Sequence, residues 1–107
     1  MILIYTAMYH EAKPVIDHFR LQKAALPPPI PGRLQWFAGT SERLGRPVHL
    51  VVGGTGPLAA AVGTTYALTR AFAFRDMQEA AGNMPTVFLN LGIGGTIRAD
   101  WPVGEVI

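Results

Sequence analysis

The 107-residue chain contains no cysteine at all. Disulfides, thiol nucleophiles and zinc–thiolate centres are therefore excluded. Charge is also scarce: 15% of residues are Asp, Glu, Lys or Arg, against the usual quarter, and the net charge is only +2. The basic residues are scattered, so no basic patch of the kind that binds nucleic acid is expected. No apolar run approaches the roughly 20 residues that a membrane-spanning helix requires. No cationic leader precedes Ile2-Leu3-Ile4-Tyr5, so a cytoplasmic protein without a membrane partner is expected. Ser41 is the only serine, and it lies in a polar turn without the strand-to-helix elbow that a serine nucleophile uses. His10, His18 and His49 have no metal-ligand spacing with carboxylates, which predicts no metal site.

Half of the residues are hydrophobic, enough to bury a core in one domain spanning 1–107. The centre of the pattern is Val48 to Ala61, VHLVVGGTGPLAAA. An apolar run stops at Gly53-Gly54-Thr55-Gly56, and Pro57 opens an Ala-rich segment. This predicts a buried strand, a glycine turn and a helix with Pro near its first position. Helix-start amides left bare by glycine can approach an anion or a hydroxyl closely. The helix is apolar nearly all round over Leu58 to Val62, predicting burial on several sides. Arg70, Arg75, Asp76 and Glu79 are read as its solvated face, and Gly82-Asn83 and Pro85 as its stop.

Upstream, Ile2 to Ala7 reads as a buried strand. Ala12, Val15, Ile16 and Phe19 then recur at helical spacing. Pro14 requires that helix to begin close by, with Pro14 in its first turn. Glu11 is thereby placed where strand hands over to helix. Leu26 to Gly32, with four prolines, reads as a stiff spacer. Leu34 to Ala38 and Val48 to Val52 pair as a hairpin across a polar turn; Arg33, Arg43 and Arg46 flank it as solvated cations. Thr86 to Leu91 is a further buried strand ending in Gly92, Gly94 and Gly95, and Trp101 to Ile107 begins another. Alternating strands and helices predict an α/β fold: a mostly parallel, mixed sheet with flanking helices. If the strands ending at Ala7, Gly53 and Leu91 are parallel neighbours, their carboxyl ends line one crevice, where such sheets bind ligands.

The residues at those ends admit more than one reading. Gly54-Thr55-Gly56-Pro57-Leu58-Ala59 fits a dinucleotide fingerprint, but no acidic residue follows the next strand. The same glycines would serve a tight turn with no ligand. Glu11 fits a general base and equally a first-turn residue favoured by the helix dipole.

Taken together, three segments resemble the nucleoside phosphorylase/nucleosidase superfamily. Tyr5 to Ala12 (YTAMYHEA) resembles the Ala-Met-x-x-Glu segment of its hydrolytic branch, the methylthioadenosine/S-adenosylhomocysteine nucleosidases and futalosine hydrolases. Val48 to Ala61 resembles the strand, Gly-x-Gly turn and Ala-rich helix. Val87 to Gly95 with Val103 to Ile107 resembles the Asn-x-Gly-x-Ala-Gly and Val-Gly-Asp-hydrophobic pair. The resemblance implies the amino-terminal half of a three-layer nucleoside phosphorylase-like fold and cofactor-free cleavage of the N-glycosidic bond of a purine nucleoside or related metabolite. By position, Glu11 would activate water. Ala7, Met8, Gly53, Gly54, Thr55, Gly56, Gly92, Ile93 and Gly94 would contact the nucleoside, and a homodimer is implied. Phosphorolysis, or a catalytically inactive nucleoside-binding or oligomerisation fragment, are the alternatives. Two departures stand out: Gly53 replaces a hydroxyl residue and Glu105 an Asp. No stretch matches the family's carboxyl-terminal Met-Glu ribose clamp or its purine-protonating Asp.

Overall fold

The structure is a computed structural model. It describes residues 1–26, 30, 32–79, 86–93, 100 and 102–104, with backbone only over 72–79. Its elements run β1 (Ile2–Thr6), α1 (Tyr9–Phe19), β2 (Gln22–Ala24), β3 (Gln35–Ser41), β4 (Arg46–Val52), α2 (Pro57–Glu79) and β5 (Val87–Asn90). The fold is α/β, with the strands in one five-stranded sheet of order β2-β3-β4-β1-β5. Strands β4, β1 and β5 are parallel, whereas β2, β3 and β4 pair antiparallel. The register places Ile2 opposite both Val48 and Val87. The mixed sheet and the hairpin accord with the sequence pattern.

Strand β1 has apolar side chains on both faces because helices cover both, the usual condition for parallel strands. Ile4 packs with Ala12, Ile16, Phe37, Leu50 and Val52 under α1. Leu3 and Tyr5 pack with Trp36, Val51, Ala67 and Ala71 under α2. Leu3, Val48, Leu50 and Val51 are fully buried, each contributing roughly 1.5–3 kcal/mol of transfer free energy.

Several local expectations are corrected. Pro14 lies in the second turn of α1, five residues beyond Tyr9, rather than in the first. It is exposed, so the carbonyl deprived of its helical donor faces water. α1 ends at Arg20, which adopts φ 55 and ψ 45 while Leu21 N–H returns to Ile16 O at 2.9 Å, a left-handed cap filled here without glycine. Over 57–71, where its burial is described, α2 is fully buried only at Gly63, Ala67 and Ala71, while Leu58 is 78% and Val62 44% exposed. Small residues at that spacing let the helix lie close on the sheet, with Tyr66 and Leu68 packed at its margin and Leu58 and Val62 pointing away. Arg70 is also not simply solvated, since its guanidinium lies 5.5 Å from the Trp36 ring centre and 5.9 Å from that of Tyr66. Strand β2 has no sequence signature: Gln22 and Lys23 are exposed, and it forms by backbone pairing on β3. The helix stop at Gly82 to Pro85, Gly94 and most of the Trp101–Ile107 strand lie outside the described residues. No described helix is long and apolar enough to cross a membrane.

Candidate active site

Because β4, β1 and β5 run parallel as neighbours, their carboxyl ends meet at one rim. Backbone bonds continue past the strands and hold the ends together. Gly53 N–H donates to Thr6 O, Gly54 N–H to Ala7 O, and Leu91 N–H to Tyr5 O, each at 2.9 Å. Gly54 and Gly56 have φ of 97° and 94°, conformations that side chains resist, so the turn between β4 and α2 depends on glycine there. Thr55 and Gly56 are exposed at the tip of that turn.

Glu11 enters this rim from the first turn of α1. Its Oε2 accepts the N–H groups of Ala7 and Met8 at 3.2 and 3.3 Å. These bonds are the carboxylate limb of a capping box, with Met8 at the N-cap and Glu11 at the third helical position. Its Oε1 points across the rim and accepts Ile93 N–H at 3.4 Å. A Cβ built on Gly92 would lie 4.0 Å from the same oxygen. One carboxylate oxygen is thus spent on fixing the side chain, and the other is directed to the end of β5. The half-buried position of Glu11 keeps its charge within reach of solvent.

Of the residues singled out from the sequence, Ala7, Met8, Glu11, Gly53, Gly54 and Ile93 lie at this one rim, tied into it by the bonds above, and Gly92 lies beside Glu11. Thr55 and Gly56 belong to the same turn without a direct link to Glu11. Among the described residues, no three His, Asp or Glu side chains group as a metal site.

The sequence did not single out Tyr5, the residue that organises the rim from beneath. Its side chain is 4% exposed, and its hydroxyl donates to Ala59 O at 3.3 Å in the first turns of α2. A Cβ on Gly53 would overlap the Tyr5 hydroxyl and ring outright, and one on Gly63 would come within 2.9 Å of the ring. Gly53 therefore has a local cause: Tyr5 occupies the space of a side chain at 53. Burial pushes the phenol pKa up, so the hydroxyl stays protonated. The available signals were an aromatic in an aliphatic strand and an isolated glycine inside a helix.

A second polar group sits under α2, across the middle of the sheet. Trp36 Nε1–H donates to His49 Nδ1 at 2.9 Å. Burial lowers the His49 pKa, aided by the Met1 ammonium and Arg70. At the opposite rim, a hollow of about 740 Å3 opens between the end of α1 and the β3–β4 hairpin, lined by Phe19, Arg20, Ser41, Glu42 and Arg43 among others. None of the candidate residues borders it.

No protein-family model matches the sequence, and no curated protein matches it. Among solved structures, the chain is similar to a mutant of Helicobacter pylori MTAN with 5′-methylthioadenosine in the active site. The similarity has a TM-score of 0.49 and 19% identity, covering 81% of this chain and 31% of that one. The chain thus spans about a third of the length of that protein.

Proposed function

We propose that this chain carries part of a site that hydrolyses the N-glycosidic bond of a purine nucleoside or related metabolite, with Glu11 as the base that activates water. The observation that carries the reading is the split use of the Glu11 carboxylate: Oε2 is fixed on Ala7 and Met8, and Oε1 faces the end of β5. A carboxylate anchored in this way can accept a proton without moving. In the step itself, the water oxygen bonds to the anomeric carbon and the bond to the base nitrogen breaks with its electron pair. Glu11 takes the water's proton. As the ring passes through an oxocarbenium-like cation, the negative carboxylate also stabilises it. The leaving base must gain a proton, and no stretch of this chain matches the acid that the resemblance implies. The glycine turns at 53–56 and 92 bring backbone amides near the ribose and the base without intervening side chains.

A carboxylate at this position disfavours phosphate as the nucleophile by charge, which favours hydrolysis over phosphorolysis. A cytoplasmic homodimer belongs to the same reading; the exposed Leu58 and Val62 of α2 support self-association.

Release of adenine from 5′-methylthioadenosine, followed chromatographically with and without phosphate, tests this function. Glu11→Gln keeps a capping oxygen, so the fold should persist and nucleoside should still bind, while turnover falls by about 10²–10⁴-fold. Phosphate-dependent release would instead indicate a phosphorylase. Binding with no release by the unaltered protein would leave a nucleoside-binding module.

A further inference from the structure

Tyr5 touches the ends of all three parallel strands. Its backbone carbonyl takes Leu91 N–H at the end of β5. Its ring lies against Gly53 at the end of β4, and its hydroxyl reaches Ala59 O in α2. Two residues further along β1, Ala7 N–H is bonded to Glu11. Two glycines on different elements, Gly53 and Gly63, leave room for this one side chain. Apolar filling alone needs no such arrangement, because a smaller aliphatic side chain on β1 would pack the face without two vacated positions. A phenol adds a hydroxyl at the base of the turn. It has one donor, directed to Ala59, and two acceptor lone pairs; Ala59 O is its sole hydrogen-bond partner among the described residues.

We propose that Tyr5 is a positioning residue of the rim, whose phenol fills the space left by Gly53 and Gly63 and brings a hydroxyl to the base of the glycine turn. It sets the distance between that turn and Glu11 and leaves a lone pair for a ribose hydroxyl or the attacking water. The proposal rests on the nucleosidase reading and adds a polar contact from β1 where β4 offers only backbone.

The test separates hydroxyl from bulk. Tyr5→Phe keeps the ring and removes the oxygen; kcat/KM for adenine release from 5′-methylthioadenosine should fall about tenfold, the scale of one hydrogen bond. Gly53→Ala alone should disrupt folding through its overlap with the ring, and adding Tyr5→Leu should restore cooperative unfolding. In that relieved background the hydroxyl can be moved to β4. Tyr5→Leu/Gly53→Ser should return to within about threefold of the original kcat/KM, while Tyr5→Leu/Gly53→Ala stays about tenfold below it. Equal activity of these two double variants, or an unchanged Tyr5→Phe enzyme, would overturn the proposal while leaving the role of Glu11 intact. Insensitivity of turnover to Glu11→Gln would instead overturn the parent reading. The hydroxyl is then judged by the affinity for 5′-methylthioadenosine, which Tyr5→Phe should weaken about tenfold and, if it does not, the proposal fails.

Discussion

The two faces of the sheet are built to different rules. Under α1, the buried contacts are aliphatic and aromatic carbon: Ile4, Ile16, Leu21, Phe37, Leu50 and Val52 around Ala12. Under α2, the same strands present Tyr5, Trp36 and His49, and the helix returns Arg70 and Tyr66. The first face gains its stability from burial that is indifferent to pH and to hydrogen-bond direction. The second combines burial with oriented polar groups, each of which must keep its partner. Glu11 joins the two, since α1 supplies it while its bonds bridge the ends of β1 and β5.

The contrast can be broken most forcefully on the dry face. Leu50→Ala removes a side chain with no solvent exposure and should cost about 2–5 kcal/mol in urea unfolding, with no change in how stability depends on pH. On the polar face, Trp36→Phe retains most of the ring but loses the Nε1–H donor to His49 and the larger cation–π surface. A loss of about 1–2 kcal/mol is expected in the same experiment. A smaller effect, in acid, belongs to His49. Its folded pKa lies below the ordinary 6.5, so the unfolded chain binds more protons as pH falls past that value. The stability it protects is present above pH 6.5 and declines below it. His49→Gln should flatten that decline in thermal unfolding measured across the acid range, and an unaltered slope would remove His49 as its source. Lys13→Ala breaks an exposed pair with Asp17, 2.9 Å apart on α1, and should leave the unfolding midpoint unchanged within error.

Much of this architecture was legible in the residues. The runs Ile2 to Ala7 and Val48 to Val52 announced their strands because parallel strands buried on both faces are apolar throughout, whereas Thr86 to Leu91, also expected to be buried, forms the strand at the edge of the described sheet, with Val87 and Leu89 40% and 49% exposed. The turn at 53–56 was legible from its glycines, and Glu11 from its place between strand and helix. What escaped was set by contacts between distant segments. Strand β2 exists only because β3 offers it an edge, and Trp36 meets His49 diagonally across the β3–β4 register, where Trp36 itself faces Val51. The apolar start of α2 suggested burial all round, yet alanine and glycine form its buried stripe while Leu58 faces outward. The dependence of Gly53 on Tyr5 joins residues 48 positions apart, and only a known β1–β4 pairing brings them side by side.

The central place of β1 also bears on how the chain folds. Strand β1 has no local partner: Ile2 waits for Val48 on one side and Val87 on the other. The β3–β4 hairpin, closing between Ser41 and Arg46, needs only a short loop and can form early, whereas the parallel ladders carry a larger loop-closure entropy. Until β4 and β5 arrive, the nascent Ile2–Thr6 segment stays apolar and unpaired, the stretch a chaperone would have most reason to shield.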